Sequence, residues 1–235
     1  MIAGLQKMTL LDYPGKVACT VFLQGCNFRC PFCHNSGLLD MAGEEYMTPD
    51  DLIGFLRKRK GLLDGVCITG GEPTLQPGLV ELARSIKAEG FLLKLDTNGS
   101  RPKILRELIE QGLVDYVAMD IKNSPQRYGE TVGVPKISLE GIEESIKLLL
   151  QGDVAYEFRT TVMDELHGPE EMEGIGAWLQ QLGGGTQPER FFLQPYADRE
   201  SVLAPGLHTP NKEKLLKMAD ILTLYAKKVE IRALD

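Results

Sequence analysis

Residues 66–99 read VCITGGEPTLQPGLVELARSIKAEGFLLKLDTNG, and this stretch decides the fold. It opens on a short β-rich apolar run, Val66–Thr69, breaks at Gly70-Gly71, and ends on a second run, Leu92–Asp96. Between them Leu79, Leu82, Ala83 and Ile86 recur on one face at helical spacing, which predicts a helix over 79–87. Two strands separated by a helix of that length cannot close as a hairpin. They must run parallel, joined by a right-handed crossover.

The same alternation extends outward from this unit. On the N-terminal side lie a strand over 17–23 and a helix over 49–60, its start marked by Thr48, Pro49 and Asp51. On the C-terminal side come a helix from Pro102 to Gln111, a strand over 116–121 and a helix over 139–150. A strand over 155–162, a helix over 169–182, a strand over 191–194 and a helix over 211–227 complete six βα units. Polar residues fall at or just past successive strand ends, at Gly70-Gly71-Glu72, Asp96-Thr97-Asn98, Asp120-Ile121-Lys122, Arg159 and Gln194-Pro195-Tyr196. Chemistry drawn from many strand C-termini is barrel behaviour. Six units rather than eight predict an α/β fold built as an incomplete (β/α)6 TIM-like barrel of parallel strands with outer helices, open on one side and forming one domain over residues 1–235.

Composition narrows the function. Twenty-six Lys and Arg against 33 Asp and Glu give a formal charge of −7, so no nucleic-acid partner is expected. The longest uncharged apolar run, Val17–Gln24, is far too short to span a membrane, and the first residues lack a basic region followed by an apolar one. No membrane association and a cytoplasmic location are expected. Five cysteines make a poor disulfide framework, and three of them crowd into Cys26-Asn27-Phe28-Arg29-Cys30-Pro31-Phe32-Cys33, directly after a strand. Three thiolates without a fourth nearby leave a coordination position open, unlike a structural zinc site, and His34 is a poor fourth ligand because it is chained to Cys33. Cys19 and Cys67 lie inside apolar strands and read as small buried hydrophobes. A four-iron cluster held by Cys26, Cys30 and Cys33 would keep one iron free for a substrate or cofactor.

At this point the sequence resembles the radical S-adenosyl-L-methionine (SAM) superfamily, in which the open iron of a 4Fe-4S cluster chelates the amino and carboxylate groups of SAM. Thr69-Gly70-Gly71-Glu72-Pro73 is similar to the superfamily's GGEP motif, whose backbone and glutamate hold the SAM amino group. Asp96-Thr97-Asn98-Gly99, Asp120-Ile121-Lys122 and Cys33-His34-Asn35 resemble segments of the activases of glycyl radical enzymes. Gly4-Leu5-Gln6-Lys7, Asp12-Tyr13-Pro14-Gly15-Lys16, Val21–Asn27, Lys60–Gly65 and Arg159–Val162 resemble, within that group, the activating proteins of anaerobic ribonucleoside-triphosphate reductases.

That resemblance implies a reductive cleavage of SAM, fed by a flavodoxin or ferredoxin type electron donor, that yields a 5′-deoxyadenosyl radical. The radical takes a hydrogen atom from a glycine of the partner enzyme. Asp96, Thr97 and Asp120 would help bind a monovalent cation, Na or K, beside the SAM carboxylate, since two neighbouring carboxylates need a cation; the aspartates could equally cap helices. Lys122 suits the SAM carboxylate. Arg159, inside a strand, needs a carboxylate partner, which Glu157 or SAM would provide. Phe32 is either plain packing or a lid over the adenine, and His34 is a structural hydrogen-bonder with its backbone near the adenine. His167 and His208 read as surface residues.

One departure concerns the target. Activases of the pyruvate formate-lyase type carry a histidine after a Pro-Tyr pair at the sixth strand, whereas here Pro195-Tyr196 is followed by Ala197. Two other readings share part of the pattern. A radical SAM enzyme acting on a small molecule or peptide would keep every motif. A non-catalytic iron-sulfur or zinc protein would explain the cysteines but not the strand ends.

Overall fold

A computed structural model describes residues 1–198 and 202–232. Among these, eight strands form one sheet in sequence order: β1 (Ile2–Thr9), β2 (Ala18–Leu23), β3 (Gly65–Gly70), β4 (Leu92–Thr97), β5 (Tyr116–Asp120), β6 (Ala155–Val162), β7 (Phe191–Pro195) and β8 (Val229–Ile231). From β2 to β8 every pairing is parallel, as the alternation with helices requires. The sheet curls into a partial barrel. Ion pairs reach across an intervening strand, from Arg159 on β6 to Asp96 on β4 and from Arg232 after β8 to Glu157 on β6.

The helices are α1 (Pro49–Arg57), α2 (Leu79–Ala88), α3 (Pro102–Glu110), α4 (Tyr128–Thr131), α5 (Glu140–Leu150), α6 (Pro169–Gly183) and α7 (Lys212–Leu222). None of the described helices is long and apolar enough to cross a membrane. The helices cover the sheet with their apolar faces, so that Leu82, Ala83 and Ile86 of α2 are buried together with Ile68 and Leu95 of the strands. Two strands lie outside the six expected units. The first, β1, pairs antiparallel with β2 through two register shifts and exposes Gln6-Lys7-Met8, so it has no clean alternation to read. β8 is only three residues long.

The start of α1 is as its sequence predicts. Thr48 Oγ1 accepts from the Asp51 amide at 3.1 Å, and the Asp51 carboxylate accepts from the Thr48 amide at 3.1 Å, closing a reciprocal capping box. Replacing Thr48 by alanine is expected to cost about 1 kcal/mol of unfolding free energy, read from urea denaturation, without altering iron incorporation.

Candidate active site

The site is assembled at the C-terminal ends of β2 to β6. After β2 the chain turns through Gly25 into the cysteine loop, whose return path is fixed by the Gly25 amide donating to Leu38 O (2.7 Å) and the Cys26 amide to Leu39 O (3.0 Å). The loop is tied to the end of β3 as well. The Glu72 amide donates to Gly25 O at 2.7 Å, and Asn35 Nδ2 donates to Gly70 O at 3.0 Å.

Gly70 and Gly71 permit this contact. A Cβ on Gly70, whose φ is +120°, would stand 2.3 Å from Leu23 O, and one on Gly71 would stand 2.1 Å from Gly25 O. The close approach these glycines allow is therefore to the protein's own backbone at the cysteine loop.

Every candidate residue except Ile121 lines one cavity. Its wall includes Cys26, Cys30, Cys33, Phe32, His34, Gly70, Gly71, Glu72, Asp96, Thr97, Asn98, Asp120, Lys122 and Arg159. Ile121 is fully buried in the core, its amide donating to Arg159 O and its carbonyl accepting from Thr160 Oγ1, so both of its backbone polar groups are used by β6. Asn35, Thr69 and Thr161 also line the cavity. All three stand in segments quoted for the resemblance, Cys33-His34-Asn35, Thr69–Pro73 and Arg159–Val162, which assigned them no role in the site.

Glu72 is almost wholly buried. Its Oε1 accepts from the Thr74 amide (3.1 Å), the Thr74 hydroxyl and the Thr97 hydroxyl (2.7 Å), while Oε2 accepts from the Asn98 amide (2.6 Å). Burial pushes its pKa up against the pull of these four donors. Glu72 is thus a strut that fixes the Asp96-Thr97-Asn98 turn to the end of β3, with a single acceptor direction left on Oε2. Asn98 is spent likewise, donating to Asn27 Oδ1 at 3.0 Å and accepting from the Ser100 amide.

The charged residues form an alternating series. Arg159 reaches Asp120 Oδ1 at 2.5 Å and Asp96 Oδ2 at 3.0 Å, Lys122 Nζ reaches Asp120 Oδ2 at 2.8 Å, and Lys94 Nζ bonds Asp96 Oδ1. Although burial penalises both carboxylates, their cationic neighbours hold Asp96 and Asp120 below the usual carboxylate range. One expectation changes here. Arg159 takes its partners from Asp96 and Asp120, while Glu157 is engaged by Arg232 and Tyr116 instead. Asp96 and Asp120 still repel each other, but each has two cationic partners that outweigh that repulsion, and the Thr97 hydroxyl donates to Glu72.

Phe32 is packed in the core and also lines the cavity, with Lys122 Nζ 5.8 Å from its ring centroid. His34 Nε2 hydrogen-bonds Ala197 O at 2.8 Å, and its ring stacks on Tyr196. His167 is buried, not on the surface. Its Nε2–H donates to Lys122 O at 2.9 Å and its Nδ1 accepts from the Met163 amide at 3.4 Å, because the carbonyl at the end of the Asp120-Ile121-Lys122 segment needs a donor. His208 is exposed and pairs with Glu165.

Burial lowers the His167 pKa to about 4, so the fold holds the neutral ring while the unfolded chain protonates near 6.5. The stabilisation is complete above pH 6.5 and is lost as pH falls toward 4. A loss on the order of 3 kcal/mol over that window is expected from a shift of this size, and His167→Asn should flatten the pH dependence of denaturant unfolding there.

Among the described residues, no three His, Cys, Asp or Glu side chains converge closely enough to hold a single metal ion. Yet three thiols line one cavity. A four-iron cluster offers a separate iron to each thiolate, so the donor set and its spacing fit such a cluster better than one tetrahedral ion. Burial pushes the Cys30 thiol up to about 12 and raises Cys26, with Lys122 pulling both the other way. Loading the site therefore releases protons.

Strand-end chemistry gathered around a three-thiol pocket in an open parallel barrel is the architecture of an enzyme that works from an iron–sulfur centre. The pattern of the radical SAM superfamily matches residues 20–172. A putative glycyl-radical enzyme activating enzyme of Methanocaldococcus jannaschii is 31% identical over 100% of this chain and 97% of its own length. The pyruvate formate-lyase 1-activating enzyme of Escherichia coli is 29% identical over 97% of both chains. Streptococcus suis SuiB bound to S-adenosylmethionine shares the fold, with a TM-score of 0.69 at 14% identity over 91% of this chain and 52% of that one. The chain belongs to the radical SAM superfamily and is an enzyme.

Proposed function

We propose that this enzyme is a glycyl-radical enzyme activase. The observation that carries the reading is the joining, in one cavity, of Cys26, Cys30 and Cys33 with the glycine-rich and acidic strand ends. Its full-length similarity to a protein named as such an activase supports it. Cys26, Cys30 and Cys33 would hold a 4Fe-4S cluster. When bound, that cluster supplies the electron that splits SAM into methionine and a 5′-deoxyadenosyl radical, which takes a hydrogen atom from the partner's glycine Cα.

The chain's own residues bind and orient. Lys122 and Arg159 present positive charge to the SAM carboxylate, Oε2 of Glu72 and the Gly70-Gly71 backbone face its amino group, and His34 and Phe32 wall the adenine side. A low-potential donor of flavodoxin or ferredoxin type supplies the reducing electron.

The partner we favour is anaerobic ribonucleoside-triphosphate reductase. Where pyruvate formate-lyase activases have a histidine, this chain has Ala197, whose carbonyl holds the His34 ring. The similarity to a pyruvate formate-lyase activating enzyme favours pyruvate formate-lyase as the second reading.

Anaerobic reconstitution with iron and sulfide, followed by SAM, reductant and either glycyl radical enzyme from the same organism, tests both. Expected is a doublet glycyl radical signal on the reductase with one 5′-deoxyadenosine per radical. A doublet on the lyase alone would change the partner. 5′-Deoxyadenosine without a radical on either would point to a small-molecule or peptide substrate.

A further inference from the structure

Lys94 is among the largest fully buried side chains of the described residues, and beyond its bond to Asp96 it has no role so far. A lysine is rarely buried without a purpose or a partner. β4 runs Leu92-Leu93-Lys94-Leu95-Asp96-Thr97, so Lys94 and Asp96, two apart, share one face of the strand. By register Lys94 stands beside Cys67 of β3. Its ammonium bonds Asp96 Oδ1 and lies 3.7 Å from Cys67 Sγ, whose thiol in turn lies 3.7 Å from the same Asp96 oxygen. Cys67 is therefore not the plain buried hydrophobe that its apolar neighbours suggest.

The consequence is a chain of five charges in the order Lys94, Asp96, Arg159, Asp120, Lys122, each carboxylate held between two cations. Asp96 Oδ2 faces Arg159, and Oδ1 faces inward to Lys94. Without the ammonium, Oδ1 would be a buried anionic oxygen with no cation of its own, and Asp96 would depend on an Arg159 that is shared with Asp120, which keeps Lys122. A positive charge at that oxygen would otherwise have to come from solution. Three cations against two carboxylates also leave one positive charge over, directed toward the cavity through Lys122 and Arg159 and suited to a carboxylate-bearing ligand.

We propose that Lys94 is a tethered monovalent cation for this site, a positioning residue that neutralises Asp96 from inside the barrel, keeps Asp96 on Arg159, and makes binding of the ligand's carboxylate independent of dissolved alkali ions. The proposal rests on the reading of the cavity as a SAM site.

The test uses the cluster-loaded protein under argon in sodium, potassium and tetramethylammonium chloride at equal ionic strength, with SAM affinity read by electron spin resonance titration. Thermal unfolding without SAM is the second readout. Wild type should give the same affinity and the same Tm in all three salts.

Lys94→Ala should bind SAM about tenfold more weakly in tetramethylammonium. Potassium or propylammonium, which can enter the vacated space, should restore both affinity and Tm, whereas a residue with only a packing role would show no cation-specific rescue. Dependence of wild type on sodium or potassium, or absence of rescue in the variant, would overturn the proposal. If Lys94→Ala does not fold, the wild-type salt series decides. Failure of wild type to bind SAM in any salt would instead defeat the SAM reading, while the Tm series without SAM still tests Lys94.

Discussion

Replacing Cys26, Cys30 or Cys33 by alanine is expected to reduce iron retention after reconstitution to a fraction of the wild-type value and to bring 5′-deoxyadenosine formation down to background. The three thiols line the same cavity, and the loop bearing them is held by backbone hydrogen bonds from Gly25 and Cys26 to Leu38 and Leu39 and from Glu72 to Gly25. Each substitution removes a ligand whose deprotonation and binding are part of what assembles the site. Cys19→Ala is the control. Cys19 is fully buried on β2 and makes no side-chain hydrogen bond among those described, so its loss should cost on the order of 1 kcal/mol in denaturant unfolding and leave iron content and turnover intact. Iron and sulfide analysis, together with chromatographic detection of 5′-deoxyadenosine, reads both. Full activity in any of the three loop variants would remove that cysteine from the ligand set.

Arg159→Met is expected to be the most damaging single change to stability. The guanidinium bonds two buried carboxylates at once, Asp120 Oδ1 at 2.5 Å and Asp96 Oδ2 at 3.0 Å. Removing it leaves each aspartate with one lysine and brings two like charges together away from water, a loss of about 3–5 kcal/mol for a broken buried pair. Arg159→Lys should fall between, because a single ammonium cannot span both carboxylates as the planar fork does.

The stability gap between the variant and wild type should narrow on acidification. In wild type the two aspartates are held below their usual range, so their contribution is present at neutral pH and is lost only when pH falls through the depressed values. In Arg159→Met the facing carboxylates gain by sharing a proton, so against the loss that buried His167 causes in both proteins the variant should lose less stability than wild type as pH falls from 7 toward 5. Denaturant unfolding of the two proteins at pH 7 and pH 5 checks the prediction. A variant that loses stability on acidification in parallel with wild type would show that Arg159 does not hold the pair.

The alternation of apolar runs with helical faces was enough to place β2 to β7 and the six long helices, because each is a local periodicity that the side chains must satisfy whatever surrounds them. The cysteine spacing and the glycines and acids at the strand ends were legible for the same reason: they are local departures from an apolar pattern. Lys94 left a signal, a lysine two residues before Asp96 inside a buried parallel strand, but Cys67 beside it lies on β3 and Arg159, the other cation on Asp96, lies on β6, and no spacing along the chain connects these. The burial of His167 was hidden too. A histidine next to a glycine in a loop reads as surface, and only the Lys122 carbonyl, 45 residues away in sequence, draws it inward.

What the amino-acid sequence determined by itself is therefore the parallel barrel, the three-thiol loop and the set of strand ends that meet above it. These follow from the periodicity of burial and from residue types that only one kind of site would gather. Tertiary structure alone decided how the charges pair. Opposite charges select partners by distance in a low-dielectric interior, and distance across a curled sheet is not encoded in separation along the chain. So Arg159 went to Asp96 and Asp120 rather than to Glu157, two residues away on its own strand, and Glu157 went to Arg232, beyond β8.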